Sequence, residues 1–296
     1  MEIQQMKYFL AVAREESISK AAQFLFITQP SLTRQIQNME REVGSPLFIR
    51  GSRKLTLTDT GKLLRKRAEE ILSLYEKTEA ELLRPSAPAG GDVFIGGGET
   101  YAMNYLASVA RELREKNPNI RFHLFSGDIV DVTERLDKGL LDFGLLIEPA
   151  DLTKYDYIRL PVKDTWGVLL RRDHPLAQRE FVTADDLRNM DLIISKHALN
   201  RSNVMEWLGG NGIPEVCMTY NLLYNAVFFA KQGIGGIVCL DKLINPTEES
   251  GLRFLPFAPK LESSLSVAWK KYQVFSKAAQ LFLEILKERV KKGELS

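Results

Sequence analysis

A chain of 296 residues, 45% hydrophobic and 26% charged, has the composition of a globular protein and the length for about two cores. Acidic residues at Glu2, Glu15 and Glu16 and no long apolar run near the start argue against a signal peptide or a membrane-spanning helix, so the cytoplasm and no membrane partner are expected. The net charge of +2 conceals a division: residues 1–67 carry twelve Lys or Arg against six Asp or Glu, and the remainder is acidic, which suggests a polyanion partner for the N-terminal part. Cys217 and Cys239 have no Cys or His at metal-ligand spacing and read as small buried hydrophobes. No metal or cofactor is expected.

Ile3, Met6, Phe9, Leu10 and Ala13 recur at helical spacing and stop at the polar turn REES. A short second helix, ISKAAQFL, has Ser17 or Ser19 as its N-cap, and the small Ala21 and Ala22 permit close packing. The third begins at Thr28, with Pro30 harmless in the first turn and an apolar stripe of Leu32, Ile36, Met39 and Val43. So short a connection between the second and third helices fits a helix-turn-helix unit. PLFIR and KLTLT then flank Gly51 and Ser52 as a two-stranded hairpin with Arg50, Arg53 and Lys54 at its tip.

Thr58 or Asp59 caps a long helix running to about residue 83. In it Leu64, Ala68, Ile71, Tyr75, Thr78 and Leu82 alternate by four and three, the spacing of a coiled-coil seam. Packing on its own domain is the alternative. Self-pairing is favoured because a helix that joins two domains has little core to cover. RPSAPAGGD, residues 84–92, reads as a linker.

From Val93 short apolar runs alternate with amphipathic helices: VFIGG, a helix to about Lys116, IRFHLF, a helix to Gly139, then DFGLLI. This is the rhythm of an α/β domain with a largely parallel sheet. WGVLL, DLIIS and GIGGIV continue it, with helices near 200–208 and 221–231, before LSVAWKK and a last helix over 276–290. Two similar lobes with a late return suggest a hinged pair enclosing a cleft.

On the third helix Pro30, Thr33, Arg34, Gln37 and Arg41 lie opposite the Leu32 stripe. Near the helix start this face carries forked hydrogen-bonding groups rather than bulk charge. Gln can bond two atoms of an adenine, Arg two atoms of a guanine, and Thr offers a hydroxyl and a methyl. Such residues suit a helix whose first turns reach base edges in the major groove. Arg50 and Lys54 on the hairpin would neutralise phosphate, and Arg53 would enter the minor groove.

The segment from Met6 to Gly61, through YFLAVA, SISKAAQFL, TQPSLTRQIQNMEREVGSPLFIR and LTLTDTG, closely resembles the winged helix-turn-helix of LysR-type transcriptional regulators. GLLDFGLLI, HPLA at 174–177 and GIGGIV resemble that family's effector-binding domain. The resemblance implies an all-α winged helix-turn-helix (1–58), a linker dimerisation helix (59–83), a hinge (84–92) and an α/β two-lobed, periplasmic-binding-protein-like effector domain (93–296). Lobe 1 would span about 93–161 and 267–296, and lobe 2 about 162–266. It implies double-stranded DNA as partner, a dimer through the linker helix, a tetramer through the effector domains, and contact with RNA polymerase.

Carried over motif by motif, the base-reading set is Gln29, Pro30, Thr33 and Arg34 with Arg53 on the wing; Ser31, Gln37, Arg50 and Lys54 complete the expected DNA-binding set. The family often has Ser or Ala at positions 31 and 33, a mild change that bears on base preference. In paired α/β lobes ligands lie at strand ends where helix N-termini converge. The effector set is therefore Gly98, Glu99, Thr100 and Tyr101 after the first strand, Ser126 and Gly127 after the second, Glu148 after the third, and Ser195, Arg201 and Ser202 in the second lobe. Arg201 is the side chain best suited to a carboxylate effector. Gly96-x-Gly98-x-x-Tyr101 lacks the third glycine of a dinucleotide fingerprint, and no nucleophile-base arrangement appears, so an α/β enzyme is the disfavoured alternative. A DNA binder without sequence preference is another alternative. His123 reads as a strand residue, His174 as part of a turn, and His197 as a cleft neighbour without a catalytic partner.

Overall fold

Helix α1 (Ile3–Glu15), α2 (Ile18–Phe24) and α3 (Gln29–Val43) surround a core of Phe9, Val12, Ala21, Leu32, Ile36, Met39 and Leu47. The computed structural model describes residues 1–51, 54–82, 90–201, 203–209, 215–244 and 250–294, which fold as two units, Met1–Leu83 and Arg84–Ser296. Ser17, rather than Ser19, caps α2 by accepting from the Lys20 amide. Helix α3 starts after the extended Thr28 and ends at Gly44, whose φ of 71° is the left-handed conformation that suits glycine. Val43, the last member of the expected stripe, is exposed because the helix ends there.

Strands β1 (Phe48–Arg50) and β2 (Leu55–Leu57) pair antiparallel with Phe48 opposite Leu57. The Glu40 carboxylate of α3 accepts from the Leu47 and Phe48 amides at 2.8 and 3.3 Å, which fastens the hairpin to the third helix. Thr58 caps α4 (Asp59–Leu82), accepting from the Gly61 amide at 2.9 Å and donating to the Pro46 carbonyl at 2.8 Å. Helix α4 serves its own unit more than the seam spacing implies. Ala68 and Leu72 are buried against Met6 of α1, and Leu64 packs on the three-helix core. The remaining apolar residues, Leu63, Ile71, Leu74, Tyr75 and Leu82, are exposed.

In the second unit β3 (Gly91–Gly97), α5 (Met103–Lys116), β4 (Ile120–Ser126), α6 (Ile129–Asp137) and β5 (Phe143–Ile147) follow the expected alternation. Gly91 and Asp92, read as linker, belong to β3. A 17-residue strand, β6 (Tyr155–Arg171), then crosses to the second lobe. That lobe holds α7 (Ala184–Leu187), β7 (Leu192–Ser195), α8 (Lys196–Arg201), α9 (Asn203–Trp207), β8 (Val216–Tyr220), α10 (Leu223–Lys231), β9 (Gly236–Leu240) and β10 (Leu252–Pro256). The chain returns through β11 (Glu262–Lys270) to α11 (Lys277–Lys292).

The sheet order is β4-β3-β5-β11-β6-β9-β7-β8, with β10 also on β6. Parallel pairs lie inside each lobe, β3 with β4 and β5, and β7 with β8 and β9. The pairs made by the crossing strands β6 and β11 are antiparallel, so the sheet is mixed rather than largely parallel. One core gathers Val93, Leu106, Phe143, Val267 and Phe282, and another Trp166, Val168, Ile194, Val238 and Phe257. Cys239 is buried in β9, whereas Cys217 is exposed, because it sits on the outward side of the edge strand β8. Among the described residues no helix is long and apolar enough to cross a membrane.

Candidate DNA-reading face and effector cleft

On α3 Gln29, Pro30, Ser31, Arg34 and Gln37 are exposed and Thr33 is half-buried, while Leu32, Ile36 and Met39 face inward. The Gln29 side-chain Nε2 donates to the Thr33 hydroxyl at 3.3 Å, one turn along. Arg34 makes no ion pair or hydrogen bond among the described residues, so its five donors stay available. Arg41 instead turns back onto its own helix, donating to the Gln37 carbonyl at 3.4 Å and to the Asn38 side chain. On the hairpin Lys54 is ion-paired with Glu16 at 2.6 Å. Both partners are exposed, so the pair is weak and a phosphate can compete for the ammonium. Arg53 and the side chain of Arg50 lie outside the described residues.

The cleft lies between the lobes of the second unit. Its walls are apolar, with Ile129, Val132, Leu145 and Ile147 from one lobe and Trp166, Leu240 and Leu243 from the other. Its polar rim comprises Gly98, Glu99, Gly127, Asp128, Ser195, Lys196, His197 and Asn221. Of the expected effector contacts, Gly98, Glu99, Gly127 and Ser195 line it. Gly127 is required by close packing, since a Cβ there would meet Phe125 at 2.8 Å and Asp131 at 2.9 Å. Lys196 is exposed and has no ion pair among the described residues. The cleft encloses about 80 Å³, less than the roughly 150 Å³ of a cavity that admits benzene.

Thr100, Tyr101, Ser126 and Glu148 are not among the described lining residues. Three consecutive residues clasp the lobes instead. The Glu99 carboxylate accepts from the Leu223 amide at the start of α10, where the helix dipole favours an anion. The Thr100 hydroxyl donates to Asp164 on β6, and Lys242 of the second lobe lies 5.4 Å over the Tyr101 ring. Burial pushes the Asp164 carboxyl up to about 6, against the hydrogen bond from Thr100. Glu148 is held within its lobe, accepting two bonds from Arg159 at 3.0 and 2.9 Å and one from Ser266 at 2.7 Å. Ser202 and the side chain of Arg201 lie outside the described residues.

The remaining sequence candidates take local places. His123 sits in β4, stacked on Phe94 and hydrogen-bonded to Asp92 at 2.8 Å. His174 accepts from the Leu176 amide in a tight turn, and His197 lines the cleft. The walls escaped sequence reading because apolar residues at strand ends look like core. Asp128 left a readable sign, being a helix N-cap that accepts from the Val130 and Asp131 amides.

Residues 3–62 match the bacterial regulatory helix-turn-helix protein model of the lysR family, and residues 86–291 match the LysR substrate binding domain. Similar proteins include the Hca operon transcriptional activator HcaR of Escherichia coli, 28% identical over 98% of each chain. An uncharacterized HTH-type transcriptional regulator, YvbU of Bacillus subtilis, is 27% identical over 97% of this chain and 98% of its own. Among solved structures, the LysR family regulator CbnR superposes with a TM-score of 0.80 at 18% identity, over 98% of this chain and 99% of that one. Full-length CbnR complexed with its target DNA gives 0.78 at 19%, over 99% of this chain and all of that one. These structures establish the shared fold, and the two family models cover both units. The relatives are regulators rather than enzymes: the first unit is a DNA-binding helix-turn-helix and the second an effector-binding domain. The chain therefore belongs to the LysR family of transcriptional regulators.

Proposed function

We propose that this regulator reads its operator with Gln29, Pro30, Thr33 and Arg34 at base edges, flanked by Ser31 and Gln37, while Arg50, Arg53 and Lys54 of the wing engage the backbone and minor groove. The observation that carries the reading is the exposed Arg34, without an ion pair or hydrogen bond among the described residues, beside the Gln29–Thr33 hydrogen bond. Arg34→Ala should weaken operator binding by about 1–3 kcal/mol, the worth of a bidentate base contact. An unchanged affinity at fixed salt would sink the assignment.

The exposed side of α4 pairs with a second copy, and the effector domains join two such dimers. RNA polymerase is the protein partner on DNA. A small molecule bearing a carboxylate enters the cleft as the lobes part, with its apolar body against Ile129 and Leu240 and its anion toward Lys196. Coupling runs through the separation of the lobes to the spacing of the paired DNA-reading heads. A thermal-shift screen of small carboxylates on the full chain checks the effector class, because a ligand at 100 times its Kd stabilises by about 2.7 kcal/mol.

A further inference from the structure

Phe26 lies in the turn between α2 and α3, two residues ahead of Thr28. Its side chain is 96% exposed, and its backbone has φ 55°, a left-handed conformation that Asn and Gly adopt far more readily than a bulky residue. The turn imposes that conformation: the Phe26 amide bonds to the Gln23 carbonyl at 3.1 Å and the Ile27 amide to the Ala22 carbonyl at 3.0 Å. One residue thus breaks two local rules, an aromatic ring in solvent and a β-carbon at positive φ. Such conflicts concentrate where a residue serves something other than folding. Phe24 nearby is half-exposed, but the Arg14 guanidinium covers its ring at 4.0 Å. Phe26 has no ring or cation contact among the described residues.

The turn leads straight into Gln29 and Pro30, the exposed start of the helix that enters the major groove. A residue just ahead of that helix meets the border of the groove when the helix docks by its N-terminal end. There an aromatic ring finds one apolar base feature, the thymine methyl group. We propose that Phe26 is a base-reading residue of this regulator, its ring packing on a thymine methyl at the edge of the half-site. The inference rests on the DNA-reading face described above.

The test uses the full chain and a duplex that it enriches from a random-sequence pool. Phe26→Asn should raise the melting temperature, since Asn suits the left-handed turn, and at the same time weaken binding about fivefold, or roughly 1 kcal/mol. The slope of affinity against salt should not change, because no charge is lost. Phe26→Tyr, which keeps the ring, should retain the affinity. Replacing thymine by deoxyuridine in the duplex should weaken the wild type more than Phe26→Asn. Equal affinity of Phe26→Asn and wild type, or an equal loss on deoxyuridine, would overturn the contact. Failure to enrich any duplex would contradict the DNA-reading face and this contact together.

Discussion

Glu99 leaves the first lobe to accept a hydrogen bond from the first residue of α10 in the second. The chain thereby places its own carboxylate on a helix N-terminus, a position that favours an anion. Glu99→Ala should free the Leu223 amide and loosen the clasp. Faster hydrogen exchange over residues 221–231 is expected, and an unchanged rate would mean that the contact holds nothing. Asp164, the next member of the clasp, gives a pH signature. Its folded value of about 6 lies above the unfolded value near 4, so between these the folded chain keeps a proton that the unfolded chain has lost. Stability from this group falls as pH rises through that window, and the penalty is complete above about 6. Asp164→Asn should therefore stabilise the chain by roughly 2 kcal/mol at pH 7.5 and by much less at pH 4.5. Melting curves at the two pH values decide it, and a gain independent of pH would contradict the assignment.

Helix α4 divides its apolar residues between a buried set and an exposed set. Leu72 is buried against α1, so Leu72→Ala should cost about 2–3 kcal/mol of stability in denaturant melts. Ile71 and Leu74 are exposed, so Ile71→Glu with Leu74→Glu should leave the unit folded and reduce the assembly in sedimentation. An assembly of unchanged size would place the interface elsewhere. Three and four spacing alone could not separate the two sets, because Ala68 fits both a seam and a groove for α1. The third helix was legible for the opposite reason: Leu32, Ile36 and Met39 form one stripe and the groups facing away from it are polar. Strand β6 was legible only over WGVLL, where both faces are buried. Its first part, with Asp156, Arg159 and Lys163 between apolar residues and Pro161 inside it, borders the crossing between lobes and has no clean alternation. Glu148 misled because its partner Arg159 lies on β6, across the intervening β11, a pairing that only the fold brings about.

At the scale of the whole molecule the charge division matches the division of labour. The basic excess of residues 1–67 lies in the helix-turn-helix unit, where it draws in a polyanion at long range. The exposed start of α3 carries forked hydrogen-bonding groups, and the second unit supplies a largely apolar cleft. Attraction to any DNA and preference for one sequence are thus separable properties: the first should be lost with salt, and the second, on the reading proposed above, with Arg34 or Gln29. The ratio of affinities of the full chain for its enriched duplex and for random DNA, at physiological salt, weighs them directly. A ratio on the order of 10³ or more is expected of a sequence-specific regulator, and a ratio near one would contradict base reading by α3.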